Sequence, residues 1–255
     1  MIIVDIYDYA KYPEKENWLK ICGDKVDTLN KLSLEANKTT FNILNFDEGY
    51  YGMTLHYWLQ EFNNRAFDLK ANYTLLKSYY DAGIPDEEWH ISPGKNGQSV
   101  SYFPHFEEEH FGNLYWFGFY MDSYYTRFEG LIDSVYHLIN IKYKLDIEPA
   151  FGFRKKVLTK LEAVDQDLYD YLKVLPQNAV YSKVNDFRNN IVHNYRPNQI
   201  DSGYKKANNA DGSRTITMSV GNYTTSTEFL NNIHDSLDLL ADITDEIRNK
   251  VEQSE

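Results

Sequence analysis

The chain has 255 residues, of which 42% are apolar, and a formal net charge of −12. That length supports a sizeable core, the apolar content excludes a disordered tail, and no apolar run approaches the ~20 residues that a bilayer span needs. The acidic balance excludes a protein that coats nucleic acid with its whole surface, and neither a membrane nor DNA is an expected partner.

The opening stretch MIIVDIYDYA has a short apolar run broken by Asp5 and lacks the basic flank and long apolar region of a secretory signal. It reads as a short strand, with the cytoplasm as the default compartment. Without export, the sequons at Asn37, Asn72 and Asn222 carry no weight. Cys22 is the only cysteine, so a single chain can form neither a disulfide nor a thiolate metal site. Tyrosine is abundant, at 22 residues, and suits wide helix faces and interfaces because a large ring ends in a polar tip.

A first helix is predicted over about 14–36, with Leu19, Cys22, Val26 and Leu29 on one face. A second, over about 47–82, carries a stripe from Tyr51 through Leu55, Trp58, Phe62, Ala66, Leu69, Tyr73 and Leu76 to Tyr80, and Gly83 and Pro85 stop it. A loop insertion rich in Gly, Pro and Ser follows at 83–105, with a short strand at 99–102. The third helix, about 113–145, is apolar around much of its girth, as a central helix should be. A fourth is predicted over about 153–173 and a motif-bearing helix over 178–196. A β-hairpin over 213–226 turns at Gly221-Asn222. The last helix opens with a capping box from Thr225 to Glu228. The fold class is therefore mainly α: an antiparallel helical bundle forming one domain over 1–255, with the insertion and the hairpin as decorations.

The stretch DFRNNIVHNYRP, 186–197, is the chemically informative one. On a helix at 100° per residue, Val180, Val184, Phe187, Ile191 and Tyr195 share the core face, while Asn189, His193, Asp186 and Arg196 point away from it. Arg188 lies on the border, about 140° from His193. Pro197 ends the helix soon after His193, so the helix dipole favours the imidazolium there, with Asp186 two turns back on the same face. The expected direction is a raised His193 pKa, suited to proton transfer near neutral pH. From Arg188 to Arg214, Arg188, Arg196, Lys205, Lys206 and Arg214 stand against Asp201 and Asp211, a local +3 that leaves −15 for the remainder.

The run Arg188-Asn189, three residues, then His193 resembles the HEPN superfamily of helical domains, whose motif is an arginine, a polar residue, a few residues and a histidine late in the fold. Long flanking helices and the hairpin make it similar to one of the larger HEPN families. The resemblance implies a homodimer with the two motifs facing each other, and metal-independent endoribonuclease activity with no cofactor. On it, Arg188, Asn189 and His193 are the catalytic candidates, with Asp186, Arg196, Lys205 and Lys206 as substrate-binding candidates. It also implies RNA or a nucleotide as ligand, an antitoxin as partner, and a role in toxin–antitoxin systems or phage defence. The alternative it carries is a non-catalytic nucleotide-binding, RNA-binding or protein-interaction module. A competing signal is Glu-x-x-His, present at Glu87/His90 and Glu107/His110, the spacing of di-iron bundles. The first copy sits in a loop and the second at a helix entrance, and His105 and His110 lack zinc-protease spacing. His56, His137 and His234 read as packing or surface residues.

Overall fold

In the computed structural model, residues 4–36, 45–210 and 212–251 are described. The central elements are α3 (Phe46–Asp81) and α4 (Glu108–Lys142), preceded by the short α1 (Trp18–Cys22) and α2 (Val26–Lys31). After them come α5 (Phe153–Leu161), α6 (Gln166–Val174), α7 (Ala179–His193) and α8 (Ser226–Val251). Helices α3 and α4 run antiparallel: Arg65 reaches Gly130, Arg127 reaches Asp68, and Trp58 stacks on His137 at 4.0 Å. The structure is mainly helical, as expected, and the described residues include two small antiparallel strand pairs.

The core lies where α3, α4, α7 and α8 meet. The stripe expected of α3 is buried from Phe62 to Leu76, and Phe117, Met121, Tyr124, Phe128, Leu131 and Leu138 of α4 are fully buried. Several tyrosines enter this core because their hydroxyls find partners there. Tyr124 meets Ser236 at 2.8 Å, Tyr125 donates to Asn232 at 2.9 Å, and Tyr73 meets His234 at 3.0 Å. Burial lowers the pKa of His137, which stacks on Trp58, and of His234, which meets the Tyr73 hydroxyl.

Four expectations are corrected. Residues Ile6–Tyr9 form a 3₁₀ turn rather than a strand, since the Asp5 carboxylate accepts the Tyr7 N–H at 3.1 Å; Met1–Ile3 lie outside the described residues, as does Asn37. The first helix is broken, because Gly23 adopts φ +57° between α1 and α2. The fourth is two helices: Asp165 caps α6 through the Leu168 N–H at 3.0 Å. Leu161 and Leu168 are seven residues apart, two full turns, so the apolar period runs through the break unaltered.

The hairpin pairs β3 (Tyr204–Asn208) with β4 (Arg214–Met218), upstream of the expected Gly221-Asn222 turn. Its loop closes through Asn209, whose N–H donates to the Ser213 carbonyl at 2.9 Å. Asn222 instead fastens the base of the hairpin, donating through its side chain to Asp201 Oδ2 at 2.6 Å and through its backbone to Oδ1 at 3.2 Å. In the insertion, β1 (His90–Ile91) pairs with β2 (Ser101–Tyr102). Asp86, fully buried, ties the insertion to the start of α8 by accepting from Tyr223, Ser226 N and Ser226 Oγ at 2.7–2.8 Å.

Candidate active site on helix α7

Helix α7 begins at a cap: the Asn178 side chain accepts the Val180 and Tyr181 N–H groups at 2.9 and 3.2 Å. Its buried face consists of Tyr181, Val184 and Phe187. Phe187 packs on Phe229 of α8 at 4.6 Å and on Tyr125 of α4 at 5.6 Å. Arg154 of α5 locks the first turn, donating to the Tyr181 hydroxyl at 2.9 Å while pairing with Asp133 and Glu129. Those carboxylates hold the guanidinium charge well above its ordinary pKa despite partial burial. The helix is therefore clamped by one face along its length. The expected core position Tyr195 is exposed: the helix stops at His193, and Tyr195 turns to donate to the Ile200 carbonyl at 2.9 Å.

The polar face stays outward. Asp186, Asn189 and His193 are exposed and Arg188 is half-buried. Arg188 Nη1 donates to Asn189 Oδ1 at 3.2 Å, so the neighbouring amide orients the guanidinium. Arg188 Nε is shut off from solvent and has no hydrogen-bond partner among the described residues. An unmade bond at a buried donor carries a desolvation cost. The His193 imidazole makes no hydrogen bond or ion pair among the described residues, to Asp186 or to any other group. Asn194, the residue after the helix, returns its N–H to Asn190 and its side-chain amide to Asn190 Oδ1 at 3.1 Å, fixing the end of the motif. Val192, beside His193, is an apolar side chain left 48% exposed.

The remaining site candidates are dispersed. Arg196 turns to α4 and pairs with Asp122 at 3.2 Å. Burial raises the Asp122 carboxyl to about 6, against the pull of Arg196. Asp122 is a partner that sequence inspection missed; it lies far upstream, in a helix whose pattern marks only its apolar face. Lys205 and Lys206 are exposed on β3, where alternation sends them to opposite faces of the hairpin. No hydrogen bond or ion pair among the described residues joins either lysine to Arg188, Asn189 or His193.

The Glu-x-x-His copies do other things. His110 accepts the Glu107 N–H at 3.0 Å at the start of α4, and His105 contacts Glu88 at 2.6 Å. Among the described residues there is no cluster of three or more His, Cys, Asp or Glu placed to hold a metal ion. None of the described helices is long and apolar enough to cross a membrane.

No curated protein and no solved structure matches this chain. A family model described as HEPN-like matches residues 58–248, which is 191 of the 255 residues and spans α4, the motif helix and nearly all of α8. A helical core, a late clamped helix that turns Asn189 and His193 outward with Arg188 half-buried, and that match agree: the chain belongs to the HEPN superfamily, at family level a nuclease- and RNA-related domain.

Proposed function

We propose that this protein is a metal-independent endoribonuclease that works as a homodimer, with Arg188, Asn189 and His193 of two copies facing one cleft. The observation that carries the reading is the Arg188 side chain: half-buried and oriented by Asn189 Oδ1 beside the exposed Asn189 and His193, its guanidinium is a planar set of donors suited to an anion. The exposed Val192 and His193 on the same helix favour cover by a second copy, and a twofold axis would place two of each motif in one groove.

The chemistry needs only groups on the substrate and the chain. The RNA 2′-oxygen forms a bond to the adjacent phosphorus and the bond to the 5′-oxygen of the next nucleotide breaks. One His193 accepts the 2′-hydroxyl proton, and a histidine in its protonated form supplies a proton to the departing 5′-oxygen. Arg188 binds the equatorial oxygens of the phosphorane through its planar donors. The products are a 2′,3′-cyclic phosphate and a 5′-hydroxyl end. Lys205 and Lys206 would engage the strand's phosphates outside the cleft, Arg196, already paired with Asp122, would lie against the strand's next nucleotide, and Asp186 would meet the edge of the bound nucleotide. A toxin or phage-defence role with an antitoxin partner is consistent with such an activity.

The test is RNA incubated in EDTA, compared with the same RNA carrying a single 2′-deoxy nucleotide at the cut position. Cleavage to a cyclic-phosphate end, abolished by the 2′-deoxy substitution, is the expected result. Cleavage that survives the substitution contradicts the proposed step. No cleavage of either RNA favours the non-catalytic binding module, a reading to which the net charge of −12 lends weight.

A further inference from the structure

Beside the motif helix lies a groove of about 1280 Å³ formed by α3, α4 and the segment that follows α7. One wall is aromatic, with Phe103, Phe111, Tyr115 and Phe119; Tyr115 and Phe119 are 47% and 54% exposed although they sit one turn apart on a central helix. The lining also carries Arg65, Arg127 and Arg196. Each guanidinium is matched by a carboxylate, Glu61 at 2.7 Å, Asp68 at 2.8 Å and Asp122 at 3.2 Å, so the lining is electrically balanced. A free phosphate or a simple cation gains little from such a lining. A planar, uncharged heterocycle gains stacking from both the rings and the guanidinium planes.

Two acceptors lack donors here. Asp122 Oδ1 and Asn198 Oδ1 are both buried and have no hydrogen-bond partner among the described residues. They lie just under the groove's floor, where Asn198 rests on Gly118: a Cβ at that glycine would come within 2.7 Å of the Asn198 amide nitrogen. A ligand that nudges Arg196 or the Asn198 amide aside would offer N–H groups to both oxygens. Arg196 and Asn198 follow His193 by three and five residues, so the Arg196 Cα lies within about 11 Å of the His193 Cα. A strand with a phosphate at the motif can therefore reach the groove with a neighbouring base.

We infer that this groove is a nucleobase subsite: it takes one unpaired RNA base carrying ring or exocyclic N–H donors, stacked on Tyr115 and Phe119 and accepted by Asp122 and Asn198. The inference deepens the ribonuclease reading of α7 and rests on it for the identity of the strand. The probe is a fluorescently labelled mixed-sequence 2′-O-methyl RNA hexamer, which cannot undergo 2′-hydroxyl attack, so that binding is read apart from cleavage. Fluorescence anisotropy with the full chain is expected to show it bound at least about tenfold tighter than the matching abasic oligonucleotide. Phe119→Ala and Tyr115→Ala, both at exposed rings, should remove most of that difference while the melting midpoint stays put. Equal affinity for the two probes, no binding of either, or a base preference untouched by both substitutions overturns the subsite. Base-dependent binding without any RNA cleavage in EDTA keeps the subsite and removes the catalytic reading; cleavage without base-dependent binding does the reverse.

Discussion

His193→Ala is expected to slow RNA cleavage by ~10²–10⁴-fold, the usual worth of a positioned acid–base group. The imidazole is exposed at the last residue of α7 and makes no contact that holds the fold, so stability should move by no more than ~0.5 kcal/mol. Arg188→Lys is the sharper companion. It keeps the positive charge and still loses on the order of 10²–10³-fold, because an ammonium reproduces neither the planar fork nor the buried Nε donor. Initial rates on one RNA, with thermal melts of each variant, separate chemistry from folding. A His193→Ala protein that cleaves at the wild-type rate places the reaction elsewhere in the molecule.

Phe229→Ala is expected to cost ~3–5 kcal/mol of unfolding free energy, the range for truncating a buried phenylalanine. Its ring is fully buried and packs on Phe187 at 4.6 Å and on Tyr125 at 6.3 Å, at the junction of α4, α7 and α8. A domain has only ~5–15 kcal/mol in all. The loss falls where the motif helix is clamped, so cleavage should decline at temperatures where the wild type is still fully active. Urea unfolding measures the first effect and the temperature dependence of the rate the second. A cost below ~1 kcal/mol would mean that α7 is held mainly by its Arg154 and Asn178 contacts.

How much of this was readable in the sequence depended on the range of the interactions. The stripe of α3 and the stop after it were legible because apolar period, capping and breaking are local. The outward placement of Asn189 and His193 was legible for the same reason: Tyr181, Val184 and Phe187 fix which side of α7 is buried. The split between α5 and α6 was hidden, since a seven-residue spacing conserves helical phase across a turn. The hairpin register was misplaced because Gly221-Asn222 has the composition of a turn, while its actual partner, Asp201, is twenty-one residues away in sequence. The same distance effect hid the Asp122–Arg196 pair and the seat of Asn198 on Gly118. Side chains that meet only after helices pack leave no mark in a periodic pattern. Lys205 and Lys206 looked like one patch in the chain, yet a strand sends neighbours to opposite faces.

The convergence of two α7 helices is tested most directly by crosslinking through a cysteine placed at Val192, next to His193. Cys22 is buried and does not compete. Treated with a short bis-maleimide, Val192→Cys should yield a covalent dimer in high proportion, and Phe151→Cys, fully exposed in the turn before α5, should not. Protein that stays monomeric at position 192, or that crosslinks equally at both positions, would contradict a cleft shared by two copies.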